Sequence, residues 1–244
     1  MEEPEEVKKI DWHTQGVTWT TEPFTDPVTK RTFPAGSPVK LLAKVRQGKA
    51  DFFVAIPNAS SLFLNLSRDF HDEAAKCMRA CLAEERAMEP LPDAPAFSFF
   101  ENMMGSVVFA CTALEAFVNE SVPDDFVYVE KSEKRFTAHY NKDQIERNLS
   151  LKVKLSAVLP EALKVPVNTG GKLWFKVTKM VDLRDRIIHL KAKDRRSTVD
   201  KPDSLWNDLF TSPLLETHVT AKQFITHFLS LSKEPPRWFQ KYPF

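Results

Sequence analysis

The stretch Lys179-Met-Val-Asp-Leu-Arg-Asp-Arg-Ile-Ile-His-Leu-Lys-Ala-Lys193 predicts a helix that carries an arginine inside its own apolar face. At about 100° per residue, the residues that form one broad apolar stripe are Leu173, Val177, Met180, Leu183, Ile187 and Leu190. Arg184 projects about 60° from Ile187 and falls within this stripe, whereas Asp185 and His189 lie on the polar side. A charge on a core-facing surface is costly unless it is paired and hydrogen-bonded. Arg184 therefore requires a partner elsewhere in the fold.

The surrounding chain also shows helical periodicity. Apolar residues recur at helical spacing over five segments, which are 60–88, 97–121, 141–164, 172–192 and 214–232. Ser60 or Ser61 is expected to cap the first helix. The helix 97–121 is apolar on nearly every side, which is typical of a central helix in a bundle. The pattern predicts an all-α domain, a bundle of about five helices over residues 58–232.

The segments outside the bundle have a different character. Residues 1–57 predict a small β-containing segment, with a hairpin formed by 39–46 and 51–56 around Gln47-Gly-Lys-Ala50. Within the bundle, residues 193–213 are expected to form a polar loop, and Phe126-Val-Tyr-Val129 is compatible with a short strand. The proline-rich end, 233–244, is expected to be an extended tail.

Composition narrows the possible functions. The 244 residues are 43% apolar and 27% charged, which is ordinary for a globular protein. A formal net charge of +1 excludes a globally basic nucleic-acid binder, so any contact with nucleic acid must use a local patch. The acidic N-terminus does not resemble a signal peptide, and no uninterrupted apolar run approaches the length of a membrane span. We expect a cytoplasmic protein that does not enter the membrane.

The cysteines are also typical of a cytoplasmic protein, and they do not indicate a metal site. Cys77, Cys81 and Cys111 are an odd number, all within predicted helices, and are expected to be reduced and buried. His71 lies near Cys77 and Cys81 along the same helix, but the three residues lack a fourth ligand. The sequence therefore predicts no metal site and no cofactor.

The central helix offers partners for Arg184. Its few polar or small residues gather in a sector about 100° wide, which contains Ser98, Glu101, Gly105, Thr112, Glu115 and Asn119. Glu115 or Glu101 is expected to pair with Arg184, because arginine and carboxylate bind each other in bidentate geometry. Two interpretations stay open at this point: a structural ion pair that sets helix register, or charges lining a cleft or subunit interface that binds phosphate.

His189 favours the phosphate-binding interpretation. Asp185 precedes it by four residues, so a carboxylate is placed to orient the imidazole. Four basic residues follow, namely Lys191, Lys193, Arg195 and Arg196. They complement the dipole at the end of the helix, and they equally provide a positive patch for the backbone of RNA.

Arg184-Asp-Arg-Ile-Ile-His189 resembles the Arg-x4-6-His signature of the HEPN superfamily, a group of all-α domains. Ala113-Leu-Glu-Ala-Phe-Val-Asn-Glu120 resembles the second core helix of these domains, and the order of the helices agrees. The resemblance covers residues 58–232.

This resemblance implies RNA cleavage without a metal ion, in a homodimer that brings two motifs together. By the same resemblance, Arg184 would hold the scissile phosphate and stabilise the transition state, and His189 would act as general acid or base. Asp185 would orient the histidine, and Glu115 would position the arginine. The products would be a 2′,3′-cyclic phosphate and a 5′-hydroxyl. The protein would act as a bacterial toxin or defence effector with an antitoxin or defence-system partner.

Two other functions are compatible with the same residues. One is a non-catalytic HEPN-like module for dimerisation or interaction, and the other is a bundle in which the Arg184 pair is structural. Arg184 and His189 project about 140° apart on an ideal helix. They can act on one phosphate only if the arginine side chain curls round the helix or a second subunit completes the site.

Overall fold

The computed structural model describes residues 10–27, 30–82, 91–131, 137–195, 204–211, 216–231 and 235–242. These residues are mostly helical, and their strands form only two-stranded sheets, so the predicted mostly-α class is confirmed. The described residues of 1–62 and 234–244 form one compact unit, and those of 63–233 form another.

The first unit contains more strands than the sequence predicted. Its antiparallel pairs are β1 (Val17–Trp19) with β4 (Pro38–Lys40), β2 (Phe24–Thr25) with β3 (Thr32–Phe33), and β5 (Leu42–Gln47) with β6 (Ala50–Ala55). The pair β5–β6 is the predicted hairpin, and Gly48 adopts the positive φ of 60° that its turn requires. The other strands are only two or three residues long, and three of them contain or adjoin a proline, so they show no alternating pattern that reveals a strand.

The predicted helices are present, but their ends differ from the prediction, and the helix predicted over residues 141–164 is interrupted. The helices are α1 (Ala59–Cys81), α2 (Asp93–Ser121), α3 (Lys142–Asn148), α4 (residues 151–163), α5 (Lys172–Ile188), α6 (Leu205–Thr211) and α7 (Thr217–Leu229). The short hairpin β7 (Tyr128–Lys131) with β8 (Thr137–Tyr140) lies between α2 and α3. The part of the first predicted helix that extends to residue 88 lies outside the described residues.

The cap of α1 differs from the prediction. Asn58, not Ser60 or Ser61, accepts the hydrogen bond at this end, from the backbone N–H of Ser61 to its Oδ1 at 2.9 Å. Asparagine is among the strongest N-cap residues. Both serines are buried in the first turn of the helix.

The core of the second unit surrounds α2. Its buried residues extend from Ala96 to Val118, and it packs against α4, α5, α6 and α7. Within the described ranges, α2 is also the helix that is long and apolar enough to cross a membrane, a property shared by buried core helices of soluble proteins. Cys111 on α2 and Cys81 on α1 are buried free thiols, whereas Cys77 is only half-buried.

The predicted helix 141–164 is divided. A break at Leu149 and Ser150 separates α3 from α4, and Ser150 caps α4 by accepting the backbone N–H of Val153. The middle of α4, Lys154–Val158, is a π-helical turn between two short α-helical turns. Such turns are rare in proteins, and those that occur are often found at functional sites.

Two irregular segments of the prediction are partly helical. The expected loop 193–213 contains α6, and the expected extended tail contains the helix α8 (Arg237–Lys241). Trp238 of α8 is buried, and Arg237 donates hydrogen bonds to the carbonyl oxygens of Ile10 and Asp11 at 3.0 and 3.1 Å. Five- and seven-residue helices next to prolines are too short to show a clear 3.6-residue period, which explains why both were missed.

Candidate functional site

Arg184 lies on the buried side of α5, as the sequence predicted. Val177, Met180 and Val181 are buried beside it, and the arginine side chain itself is 23% exposed. The guanidinium therefore reaches solvent at one edge of the core-facing surface. His189 ends the same helix on its exposed side.

The carboxylate that meets Arg184 is that of its neighbour. Arg184 Nη1 lies 3.2 Å from Asp185 Oδ1, and the Asp185 side chain is 51% exposed. Arg184 also lies against the thiol of Cys111, which donates to the carbonyl oxygen of Met180 at 3.7 Å. Burial raises the pKa of Cys111 to about 12 although Arg184 acts in the opposite direction. The thiol is therefore neutral and supplies no counter-charge.

Glu115 does not pair with Arg184, so that prediction was wrong. Glu115 Oε1 accepts a hydrogen bond from Lys154 Nζ at 2.7 Å, and the Lys154 side chain is completely buried. The same ammonium donates to the carbonyl oxygen of Glu146 at 2.8 Å. The other predicted partner, Glu101, is exposed and lines a different groove. Glu115 pairs with Lys154 rather than with Arg184 because an unpaired charge costs more free energy when it is fully buried than when it is partly solvated.

Arg184 and Glu115 nevertheless line one polar groove, which we call the Arg184 groove. It has a volume of about 330 Å³, and its lining residues are Glu115, Leu149, Ser150, Leu151, Lys152, Val181, Arg184 and Asp185. Lys152 is bonded to Asp182, so the charges around the groove nearly balance. The groove brings α2, α4 and α5 together and exposes the edge of one guanidinium.

His189 lies outside the lining of this groove. Its backbone N–H donates to the Asp185 carbonyl oxygen at 3.0 Å, and its backbone leaves the helical conformation, with φ −113° and ψ 58°. The predicted orientation of the imidazole by the Asp185 carboxylate was therefore wrong, because that carboxylate faces Arg184. At a helix end the side chain no longer follows the i, i+4 geometry of the interior.

Arg186 forms an ion-pair cluster that the sequence did not predict. Its Nη2 lies 2.8 Å from Asp194 Oδ1, and its Nη1 is bonded to Asp208 Oδ2. Asp194 is buried and also accepts the backbone N–H of Leu205 at 3.0 Å. Burial alone would lower the pKa of Arg186, but the hydrogen bonds and charges of the two aspartates raise it. This cluster joins the end of α5 to the 3₁₀ turn Ala192–Arg195 and to α6.

The predicted RNA-binding residues are only partly described. Lys191 is exposed after the end of α5. Lys193 and Arg195 belong to the 3₁₀ turn, but their side chains lie outside the described residues, as does all of Arg196. Within this basic run, Asp194 is turned inward to Arg186.

No group of three or more His, Cys, Asp or Glu side chains that could hold a metal ion occurs among the described residues. His71, considered above with Cys77 and Cys81, instead packs its ring against His218, with ring centroids 5.2 Å apart.

No protein-family model matches the chain, and no curated protein and no solved structure is significantly similar to it.

Proposed function

We propose that the chain is an HEPN-like endoribonuclease that cleaves RNA in the cytoplasm without a metal ion. Arg184 binds the scissile phosphate, and His189 transfers protons. The proposal combines the motif from Arg184 to His189 with the accessibility of both side chains.

The difference between Arg184 and Arg186 is the observation that carries the proposal. Arg186 is held by two aspartates, one of them buried, and breaking such a pair costs about 3–5 kcal/mol. Arg184 has one half-exposed carboxylate at 3.2 Å, and exposed pairs contribute about 0–1 kcal/mol. A phosphate can therefore replace Asp185 at Arg184 for little cost, whereas it cannot displace the partners of Arg186.

The chemistry requires two histidines or one histidine that acts twice. A base removes the proton of the RNA 2′-hydroxyl, and the oxygen attacks phosphorus. The bond to the 5′-oxygen breaks, and an acid supplies a proton to that oxygen. Arg184 stabilises the charge that grows on the phosphoryl oxygens.

A homodimer supplies the second histidine. Because His189 lies outside the lining of the Arg184 groove, one subunit does not present both side chains to the same phosphate without a large change in side-chain direction. Pairing two copies of α5 brings His189 of each subunit towards Arg184 of the other. In this arrangement Asp185 is the resting counter-ion of Arg184, and the pair of Glu115 with Lys154 supports the wall of the groove.

The proposal is tested by RNA cleavage with purified protein in the presence of EDTA. Arg184→Ala and His189→Ala should each abolish formation of 2′,3′-cyclic phosphate ends, while Lys179→Ala, an exposed cation on the same helix, should leave it unchanged. Expression of the wild type, but not of the two variants, should slow bacterial growth if the protein is a toxin or defence effector. Cleavage that persists in both variants would contradict the assigned residues.

A second candidate is a non-catalytic HEPN-like interaction module. It is supported by the charge balance of the Arg184 groove, where Lys154 already holds Glu115 and Asp185 already faces Arg184. Under this function no RNA is cleaved, and Arg184→Ala weakens binding of a protein partner, such as an antitoxin, or self-association in sedimentation experiments.

A further inference from the structure

The hairpin of β5 and β6 leaves large apolar side chains in solvent. These side chains are each 41–55% exposed, and they are Leu42, Val45, Phe52, Phe53 and Val54. A hairpin of two strands is only marginally stable in water unless something packs on it. Contiguous exposed apolar residues of this size are typical of a surface that binds a partner.

The strand register divides the side chains of the hairpin between two different faces. Residues directly opposite each other in an antiparallel pair share a face, and successive residues alternate between faces. One face, which we call the basic face, contains Leu42, Lys44, Arg46, Asp51, Phe53 and Ala55. The other, which we call the neutral face, contains Ala43, Val45, Gln47, Ala50, Phe52 and Val54. All the charged side chains of the two strands therefore share the face of Phe53 and not that of Phe52.

The basic face concentrates positive charge in a nearly neutral chain. Lys44 Nζ lies 2.7 Å from Asp51 Oδ2, and Arg46 Nε lies 2.7 Å from Asp51 Oδ1, so a single carboxylate pairs with two cations. Residues 40–55 contain four of the 34 Lys and Arg residues of the chain but only one of its 33 Asp and Glu residues. Both cations are more than half exposed, and exposed ion pairs are weak, so phosphate groups can replace Asp51 as their partner.

Phe53 places an aromatic ring beside these cations. It lies directly opposite Lys44, and no other ring of the described residues packs against it. Unpaired bases stack on exposed aromatic rings while neighbouring cations bind the phosphates of the backbone, whereas a duplex hides the faces of its bases. We propose that the basic face binds single-stranded RNA.

A lipid surface fits this hairpin less well than RNA does. Arg46 and Asp51 adjoin the turn, so insertion of the tip would take charged groups into the hydrocarbon region. The choice of a single-stranded nucleic acid follows from Phe53 and the two cations. The choice of RNA over DNA rests on the nuclease function proposed above.

The test is fluorescence anisotropy with a labelled single-stranded RNA of mixed sequence and the full chain carrying His189→Ala, which keeps binding separate from cleavage. Phe53→Leu should weaken RNA binding about 5- to 100-fold, because one base loses its stacking ring. Phe52→Leu is the matched control, since Phe52 is the adjacent ring on the neutral face, and it should leave binding unchanged. Binding by this protein together with no cleavage by the wild type would contradict the nuclease function and leave this proposal standing.

The charges of the basic face give effects of opposite sign. Lys44→Gln should weaken RNA binding and reduce the slope of log K against log salt concentration by about 0.7. Asp51→Asn should strengthen binding, because it removes the carboxylate that competes with phosphate. Lys76→Gln is the control, since it removes an exposed lysine of α1 that also pairs with one carboxylate.

Single-stranded DNA of the same sequence and vesicles containing phosphatidylserine complete the test, and circular dichroism establishes that each variant is folded. RNA should bind at least as tightly as DNA, and the vesicles should not bind. The proposal is overturned if folded protein binds no single-stranded RNA, if Phe53→Leu and Phe52→Leu weaken binding equally, or if Asp51→Asn weakens it. Tighter binding of DNA would overturn the choice of RNA, and vesicle binding that is lost in Phe53→Leu would assign the face to a membrane instead.

Discussion

Lys154 places a completely buried ammonium group 2.7 Å from the carboxylate of Glu115, whose side chain is 38% exposed. The lysine comes from the π-helical turn of α4, and the glutamate comes from the C-terminal half of α2. The pair therefore connects a buried charge to the wall of the Arg184 groove.

Removing the Glu115 carboxylate should destabilise the protein more than removing the Lys154 charge. Glu115→Ala leaves a buried ammonium without its counter-charge, which costs about 3–5 kcal/mol, whereas Lys154→Met replaces the ammonium by an apolar group of similar length. Urea unfolding of the two variants measures the difference in the free energy of unfolding. Glu115→Gln, which keeps an acceptor, is the intermediate control, and an equal cost for all three variants would contradict the prediction.

The same substitution at two arginines of α5 should have unequal effects. Arg186→Leu leaves the buried Asp194 carboxylate without its guanidinium and should lower the free energy of unfolding by about 3 kcal/mol. Arg184→Leu breaks only a half-exposed pair and should cost less than about 1 kcal/mol. Adding Asp194→Asn to Arg186→Leu should recover part of the loss. If Arg184→Leu were the more damaging change, the pair of Arg184 with Asp185 would be too strong for a phosphate to replace Asp185.

Gly105 allows α2 to approach a ring of α1 closely. A Cβ atom at this position would lie 3.0 Å from Phe70, whose ring is stacked on Phe109 at 5.5 Å and 9°. Alanine is usually better than glycine within a helix by about 1 kcal/mol. Here we expect Gly105→Ala to lower the free energy of unfolding by about 1 kcal/mol, because overpacking outweighs that gain. Thermal unfolding should show that Phe70→Leu reverses the sign of the Gly105→Ala effect.

His218 should make the protein less stable in mild acid. Burial, assisted by the nearby His71, lowers the pKa of His218 from 6.5 to about 4. The unfolded chain therefore binds more protons between these two values, so the free energy of unfolding falls as the pH drops through that window. Because His218 is partly exposed, solvent screening reduces the expected loss to about 1–2 kcal/mol.

Urea unfolding at several pH values between 7 and 4 checks this expectation. His218→Gln should show a flatter dependence on pH than the wild type, whereas His139→Gln, at an exposed position in β8, should retain the full dependence. A wild type equally stable at both ends of this range would contradict the shift.

Sequence patterns predicted the long elements because those elements bury continuous faces. The helices α1, α2, α5 and α7 repeat apolar residues over three or more turns, and β5 and β6 flank a glycine turn. The short elements α6 and α8 contain too few residues to show a period. Their positions depend on tertiary contacts such as the bond between Leu205 and Asp194.

A charged residue on an apolar helix face was easier to predict from the sequence than the carboxylate that pairs with it. Arg184 was found because it interrupts an apolar face, and Lys154 meets the same criterion, since it lies between the buried residues Leu151 and Leu155 of α4. Periodicity shows which charge is buried but not which carboxylate reaches it, because helix packing decides that distance. The burial of Asp194 was not predicted, because this residue lies among basic residues in a segment that was expected to form a polar loop.

The docking of α8 on the N-terminal segment has a consequence for the order of folding during synthesis. Trp12 packs against Tyr242 at a ring-centroid distance of 5.2 Å, and Arg237 binds the carbonyl oxygens of Ile10 and Asp11. Residues 10–12 therefore make these contacts only after residues about 230 positions later have been synthesised. The β-containing unit is therefore completed only after residue 242 has left the ribosome.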